Sequence, residues 1–291
     1  MSVAPMRERA TVALVQWLPV PGRPEENLRR ALDLVAQLGE KGCDLIVLPE
    51  LWPSGFNWDT LKDDLAESAE PLNGARTDAL AEAARRTGSW LAAGSVPELD
   101  GDRIFNTALL FSRDGELQAW HRKAHLYAPL GEDDALAAGD TITTVETDEL
   151  GIVGLSVCFD GDFPETARAM ANRGARVVVE PCAYEVAAES WWDRLYPANA
   201  LVNGQWWFMA NQCGSNPSGT LLGASRIISP AGEVVAEGRR ARNGESPKED
   251  VVIATVDLRS ELERVDRDHS ALWELRRPEL YGDRAHDTAS R

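Results

Sequence analysis

The sequence predicts an α/β fold. Apolar, β-branched runs that read as buried strands alternate with helical segments from end to end, and neither a break in composition nor an internal repeat divides the chain. A single domain over residues 1–291 is therefore expected, with its core over about 10–260 followed by a charged C-terminal extension.

The elements follow in order. Thr11–Trp17 is β-like, and Glu25–Leu38 carries helical spacing through Leu28, Leu32 and Val35, with Pro24 at its start. Asp44–Leu48 is a short buried strand that ends in Pro49-Glu50. Ala75–Arg86 reads as a helix and Trp90–Val96 as a strand. Thr107–Ser112 and Glu116–Arg122 flank Arg113-Asp114-Gly115, an Asp-Gly hairpin signal. Ile152–Val157 is a buried strand, and Glu165–Arg173 a helix after it. Arg176–Glu180 is a strand and Glu189–Asn203 a helix. Trp206–Ala210, Ala224–Ile228, Glu233–Glu237 and Val251–Asp257 are further strands, with Pro230-Ala231-Gly232 turning between two of them. Residues 239–250 read as a surface loop, and the last ten as a mobile tail.

Composition narrows the function classes. A net charge of −17 disfavours nucleic acid and anionic membrane surfaces as partners, and there is no apolar run long enough to span a bilayer. Residues 1–9 are charged and lack the apolar stretch of a signal peptide. Cys43, Cys158, Cys182 and Cys213 lie far apart with few histidines nearby, which fits neither a disulfide scaffold nor a zinc site. A reduced cytoplasmic location, with no metal or cofactor, is the expectation.

Three segments place a reactive side chain at the tip of a strand. Leu45-Ile46-Val47-Leu48-Pro49-Glu50 holds a carboxylate behind a proline that ends the pairing. Trp120-His121-Arg122-Lys123-Ala124-His125-Leu126 holds an amine. Val157-Cys158-Phe159-Asp160-Gly161-Asp162-Phe163-Pro164-Glu165 holds a thiol at a strand-to-helix junction, where nearby helical N–H groups favour a thiolate. Taken singly, each has a plain structural reading: a cap or surface ion pair, a solvated basic edge, an inert buried cysteine.

Together the three segments resemble the carbon–nitrogen hydrolase, or nitrilase, superfamily. They carry its Leu-Pro-Glu, Arg-Lys-x-His-Leu and Cys-aromatic-Asp-x-x-Phe-Pro-Glu motifs, with Lys123 73 residues after Glu50 and Cys158 35 residues after Lys123. Gly139-Asp140, Ala210-Asn211 and Ser229-Pro230-x-Gly232 agree with it, so the resemblance covers roughly residues 10–260. It implies an αββα sandwich whose subunits pair into an αββα–αββα homodimer or larger assembly. It also implies a Glu50–Lys123–Cys158 triad, with Glu132 as a second glutamate that orients substrate and the hydrolytic water.

That set of residues makes chemical sense. A thiol with an ordinary pKa near 8.5 is mostly protonated at neutral pH and needs a base. Glu50 can take its proton as Cys158 attacks a carbonyl carbon and return it to the leaving amine. Lys123 and the backbone N–H of Phe159 would face the developing oxyanion. Two carboxylates beside one thiol should push at least one pKa upward. Asp160 and Glu165 are expected to pair with arginines or cap backbone, Arg122 and His125 to brace the Lys123 loop, and the other three cysteines to be inert.

The resemblance also orients the substrate. Cys158-Phe159-Asp160 is similar to amidases and carbamoylases rather than nitrile-directed members, so a small-molecule amide is expected, with an N-carbamoyl hydrolase or nitrilase as the alternative. A non-catalytic member would be expected to lack one of the three residues, and all are present. Pocket candidates after Glu50 are Trp52, Phe56, Asn57 and Trp58; after Glu180 they are Tyr184, Glu185, Trp191 and Trp192. The segment 181–190 contains no basic residue to hold a substrate carboxylate, Arg194 being the first, and Glu185 could instead meet a cation.

Overall fold

A computed structural model describes residues 5–216, 219–242 and 245–281, with side chains omitted at 216 and 269–274. Five strands open the chain in sheet order: β1 (Ala10–Gln16), β2 (Leu45–Val47), β3 (Trp90–Asp100), β4 (Arg103–Phe111) and β5 (Leu117–Arg122). A second sheet is built from β6 (Thr143–Glu146), β7 (Ile152–Leu155), β8 (Val177–Cys182) and β9 (Trp206–Asn211). After a ribbon of β10 (Cys213–Asn216) and β11 (Gly219–Leu222), the chain adds β12 (Arg226–Ile228) and β13 (Val234–Glu237) to it. The last strand, β14 (Asp250–Val256), returns to the first sheet and pairs antiparallel with β1. The two six-stranded sheets have the orders β14-β1-β2-β3-β4-β5 and β13-β12-β9-β8-β7-β6.

Helices α1 (Pro24–Glu40), α2 (Leu61–Ser68), α3 (Ala75–Thr87), α4 (Glu132–Ala135), α5 (Pro164–Asn172), α6 (Glu189–Asn203), α7 (Leu258–Glu274) and α8 (Pro278–Tyr281) complete the described elements. The strand period of two sorts the apolar residues into layers. Val12, Leu14, Leu45 and Val47 of one sheet meet Val153, Val177, Val179 and Phe208 of the other in a shared core. On the outer face of the first sheet, Ala13, Val15, Ile46 and Leu91 pack with Val35 and Leu38 of α1 and Leu80 of α3. On the outer face of the second, Val178, Trp207 and Met209 pack with Met170 of α5 and Trp192 and Tyr196 of α6. The result is the αββα sandwich the resemblance implied. Its central strands are apolar on both faces because both faces are covered.

The predicted β4–β5 and β12–β13 hairpins are present. They are closed by Gly115 N–H to Ser112 O at 3.0 Å and Gly232 N–H to Ser229 O at 2.8 Å. Three readings change. The strand predicted from Ala224 starts at Arg226, because Ala224 has φ +54°, outside extended geometry. The C-terminal extension is not merely charged. Leu258, Leu262 and Val265 form a buried stripe on α7, and Leu258 and Leu262 join the core between the sheets. The helix α2 and the ribbon β10–β11 were not anticipated, and the ten-residue tail lies outside the described residues.

Parallel pairing sets the site. β1, β2 and β3 run parallel through β2, and β7, β8 and β9 through β8, so the segments after β2, β7 and β8 emerge at C-terminal strand ends. Those ends are stitched across the sandwich by Glu50 N–H to Cys182 O at 3.4 Å and Gln212 Nε2 to Glu50 O at 2.6 Å. Gly94 in β3 makes room for the turn at Glu50. It has φ +67°, and a Cβ there would lie 2.1 Å from Pro49 O. Gly94→Ala is therefore expected to lower the unfolding free energy in a urea titration by at least ~2 kcal/mol, since backbone strain alone costs about 1–3 kcal/mol before the clash is relieved.

Candidate active site

Cys158 opens a 3₁₀ turn, Cys158–Asp162, between β7 and α5, and has φ +47°. A non-glycine side chain there is strained, and neighbouring bonds hold the conformation. Tyr196 Oη donates to Cys158 O at 3.0 Å, and Asn199 Nδ2 to Gly161 O at 2.9 Å. Gly161 is needed because a Cβ would come within 2.6 Å of both Glu180 Oε1 and the Tyr196 ring. Asp160 is fully buried beneath the turn. Its carboxylate accepts from His121 Nε2 at 3.0 Å, His125 Nδ1 at 2.8 Å and the amides of Ala124 and His125 at 3.1 and 2.8 Å. Burial opposes its charge, but the two histidines and the amide donors outweigh burial and hold its carboxyl well below the usual range. The expected arginine partners are thus replaced by histidines, while the expected backbone capping is present. Glu165 is exposed in the first turn of α5.

The same clamp fixes the loop that carries Lys123, since His121, Ala124 and His125 flank it. Arg122 braces it from the other side, pairing with Glu98 and Asp100 and lying 3.9 Å over the Phe105 ring. Lys123 Nζ is buried and donates to Glu50 Oε1 at 2.9 Å and to Glu132 Oε1 and Oε2 at 2.8 and 2.9 Å. Asn106 Nδ2 donates to Glu50 Oε1 at 2.8 Å, and the Tyr127 amide to Glu132 Oε2 at 2.6 Å. Burial works against the ammonium, but the Glu132 and Glu50 carboxylates prevail and raise its pKa well above the ordinary lysine value. Burial raises Glu50, against the pull of Lys123 and with the help of Glu132.

Glu50 Oε2 is buried with no hydrogen-bond partner, and the neighbouring Cys158 thiol favours the charged form of this carboxylate against the larger effect of burial. The thiol's own balance differs from the expectation of a thiolate. A hydrogen bond from Cys182 pulls its pKa down, but burial and the Glu50 charge outweigh that contact together with Lys123, and it is pushed up to about 11. The helical N–H groups do not decide its charge, and at rest the site holds a neutral thiol beside a carboxylate. Cys182 is not remote: it touches Cys158 and contacts Glu180 at 3.7 Å, so its low reactivity comes from complete burial, which raises its pKa well above normal.

These groups open into a cavity of about 450 Å³. Glu50, Lys123, Glu132, Cys158 and Phe159 line its floor, and Phe56, Trp58, Tyr184, Glu185 and Trp191 line its walls. Two candidates are core residues instead. Trp52 is fully buried with Nε1 donating to Ala93 O at 2.8 Å, and Trp192 is fully buried with Nε1 donating to Ala224 O at 3.2 Å. Asn57 does not line the cavity; its Oδ1 accepts from the Asp59 amide. Sequence reasoning missed Tyr127, Leu130 and Asp162 as lining residues and Asn106 as a partner of both glutamates. Asp162 stood inside the nucleophile motif, and Tyr127 just after the lysine motif, so proximity to a motif was their only signal. Asn106 had none. Among the described residues no group of three or more His, Cys, Asp or Glu side chains is arranged to hold a metal ion. No described helix is long and apolar enough to cross a membrane.

Because the Asp160 pKa is depressed in the folded state, its contribution to stability is full above the unfolded value near 4 and is lost as pH falls below it. Asp160→Ala should destabilise the protein by about 3–5 kcal/mol at pH 7 and flatten this acid limb, as measured by urea titrations between pH 7 and pH 3.

Residues 11–263 match the carbon–nitrogen hydrolase family. An omega-amidase of Xenopus laevis is 31% identical over 93% of this chain and 96% of its own length. A 2-oxoglutaramate amidase of Bacillus subtilis is 32% identical over 87% and 93%. Among solved structures, a Saccharomyces cerevisiae member of branch 10 of the nitrilase superfamily superposes with a TM-score of 0.80 at 27% identity, covering 90% of this chain and 95% of that one. An amidase from Nesterenkonia superposes with a TM-score of 0.74 at 27% identity, covering 91% and 98%. With the motifs, the sandwich and these relatives in agreement, the chain belongs to the carbon–nitrogen hydrolase family of the nitrilase superfamily.

Proposed function

We propose that the protein hydrolyses a small linear amide to an acid and ammonia or an amine through a Cys158 thioester. The observation that carries this reading is the buried Lys123 ammonium between two carboxylates, with the Cys158 thiol lining the same cavity. The amidase names of the relatives support amide over nitrile as the substrate.

In this mechanism Glu50 takes the Cys158 proton as sulfur attacks the amide carbon, so no free thiolate is needed at rest. The carbonyl oxygen becomes an oxyanion facing Lys123 and the Phe159 N–H. The C–N bond then breaks as Glu50 returns the proton to the leaving nitrogen. Water attacks the thioester carbon, Glu50 takes its proton, and the acid leaves as that proton reaches sulfur. Glu132 takes no proton in this cycle. It divides the Lys123 charge with Glu50, fixes the amine, and faces the water and the substrate nitrogen. The structural unit is a single catalytic domain, and we place it in a homodimer in a reducing cytoplasm, a setting suited to four free cysteines.

Cys158→Ala should abolish ammonia release from a panel of linear amides while leaving circular dichroism and Tm near wild type. The wild-type protein, quenched in acid during turnover, should show the acyl adduct on Cys158 by mass spectrometry. Release from nitriles alone would overturn the amide assignment. Because Glu50 must be ionised and its pKa is raised, kcat/KM should rise with pH along an acid limb whose midpoint lies above pH 4.5, the ordinary glutamate value. Glu132→Gln should lower kcat by about 10²-fold or more, the scale on which a misplaced electrostatic group is felt.

A further inference from the structure

The charge of the cavity wall is one-sided. Lys123 is the only lysine, arginine or histidine among the described residues that line it, and its ammonium is taken up by Glu50 and Glu132. Asp162 and Glu185 add two further carboxyl groups. Asp162 accepts from the Tyr184 hydroxyl and shares the Tyr196 hydroxyl with Cys158 O, and burial raises its pKa, so it is spoken for. Arg194 is exposed and does not line the cavity.

Glu185 is held in place differently. Trp58 Nε1 donates to its Oε1 at 2.9 Å, and its backbone bridges to Leu221. Gly219 lies against the carboxylate, where a Cβ would come within 3.3 Å of Oε1. One oxygen receives an indole N–H, and no cation among the described residues pairs with the carboxylate. The surrounding surface is aromatic. Trp58 stands edge-on to Phe56 with centroids 4.5 Å apart, Tyr127 lies 6.5 Å from Trp58, and Trp191 is 56% exposed at the rim. An oriented carboxylate beside aromatic faces is the environment that stabilises an ammonium or guanidinium, through charge-assisted hydrogen bonding and the negative ring faces. A carboxylate in the same place would meet a like charge, with no fixed cation among the described lining residues except the paired Lys123 to offset it.

We propose that the pocket selects amides whose far end carries a cationic head, with Glu185 as the specificity-determining residue. It discriminates against amides that end in a carboxylate, of which 2-oxoglutaramate is one. This rests on the amide-hydrolysis reading above for the reacting end of the substrate, and on the pocket wall alone for the other end.

The test measures kcat/KM by ammonia release for 4-aminobutanamide, butanamide and succinamate, which differ mainly in terminal charge. The expected order is cation over neutral over anion, with steps of about tenfold, the scale of a partly exposed cation–π contact joined to an ion pair. In Glu185→Gln the cation-to-neutral ratio should fall towards one, and Glu185→Lys should move the preference to succinamate. A wild-type preference for succinamate, or an unchanged ratio in Glu185→Gln, overturns the proposal. Calorimetric titration of Cys158→Ala with the same three amides separates the two readings. Cation-selective binding with no wild-type hydrolysis sinks the amidase assignment and supports the pocket assignment. Hydrolysis accompanied by tighter binding of the anion does the reverse.

Discussion

The structure around the cavity depends on one buried ammonium. Withdrawing Lys123 from water costs several kcal/mol, and the cost is offset only because Glu50 and Glu132 both reach Nζ within 2.9 Å. The amine favours the charged form of Glu50 against burial, and the two carboxylates hold the amine charged in turn. The trio therefore forms as a unit, and its members arrive from β2, from the end of β5 and from α4. Any folding error that displaces one of these elements leaves an uncompensated charge in the core, so the cluster enforces the register of the elements that build it.

A second constraint ties the thiol to that unit. Asp160 beneath Cys158 binds the backbone and both histidines of the Lys123 loop, so thiol and amine are positioned by one carboxylate. Glu50 is joined in turn to Cys182 and Gln212 across the sandwich. Each sheet contributes its reactive group at the C-terminal end of a parallel strand, and the sandwich places those ends face to face. The strained φ of Cys158 is held by this scaffold and would not persist in an isolated turn.

Much of this was legible in the chain. Continuous apolar runs such as Leu45–Leu48 and Val177–Val179 are buried on both faces, and only a sheet covered on both sides gives that pattern. Motif spacing brought out Glu50, Lys123, Glu132 and Cys158, which the fold gathers into one cavity. The losses have physical reasons. Trp52 and Trp192 are as aromatic as Trp58 and Trp191, and only the direction of the backbone separates a wall from a core. Asn106 is an ordinary polar residue within β4 until two glutamates from distant segments converge on its amide. The Leu258, Leu262 and Val265 stripe was hidden among charged neighbours, because three apolar residues suffice for a helix that lies along an edge. Cys182 lies 24 positions from Cys158 in sequence, but the parallel pairing of β7 with β8 brings the ends of the two strands, and with them the two cysteines, together.

The protonated state of Cys158 also bears on how long such a site survives. Peroxides and other soft electrophiles attack thiolates, and their rate falls with the fraction of sulfur that is ionised. A thiol whose pKa is pushed up to about 11 presents almost none of that form at neutral pH. In the proposed cycle its proton leaves only when an adjacent carboxylate and an electrophilic carbon are engaged together. Durability against oxidative damage and dependence on a resident base are then two aspects of one electrostatic arrangement.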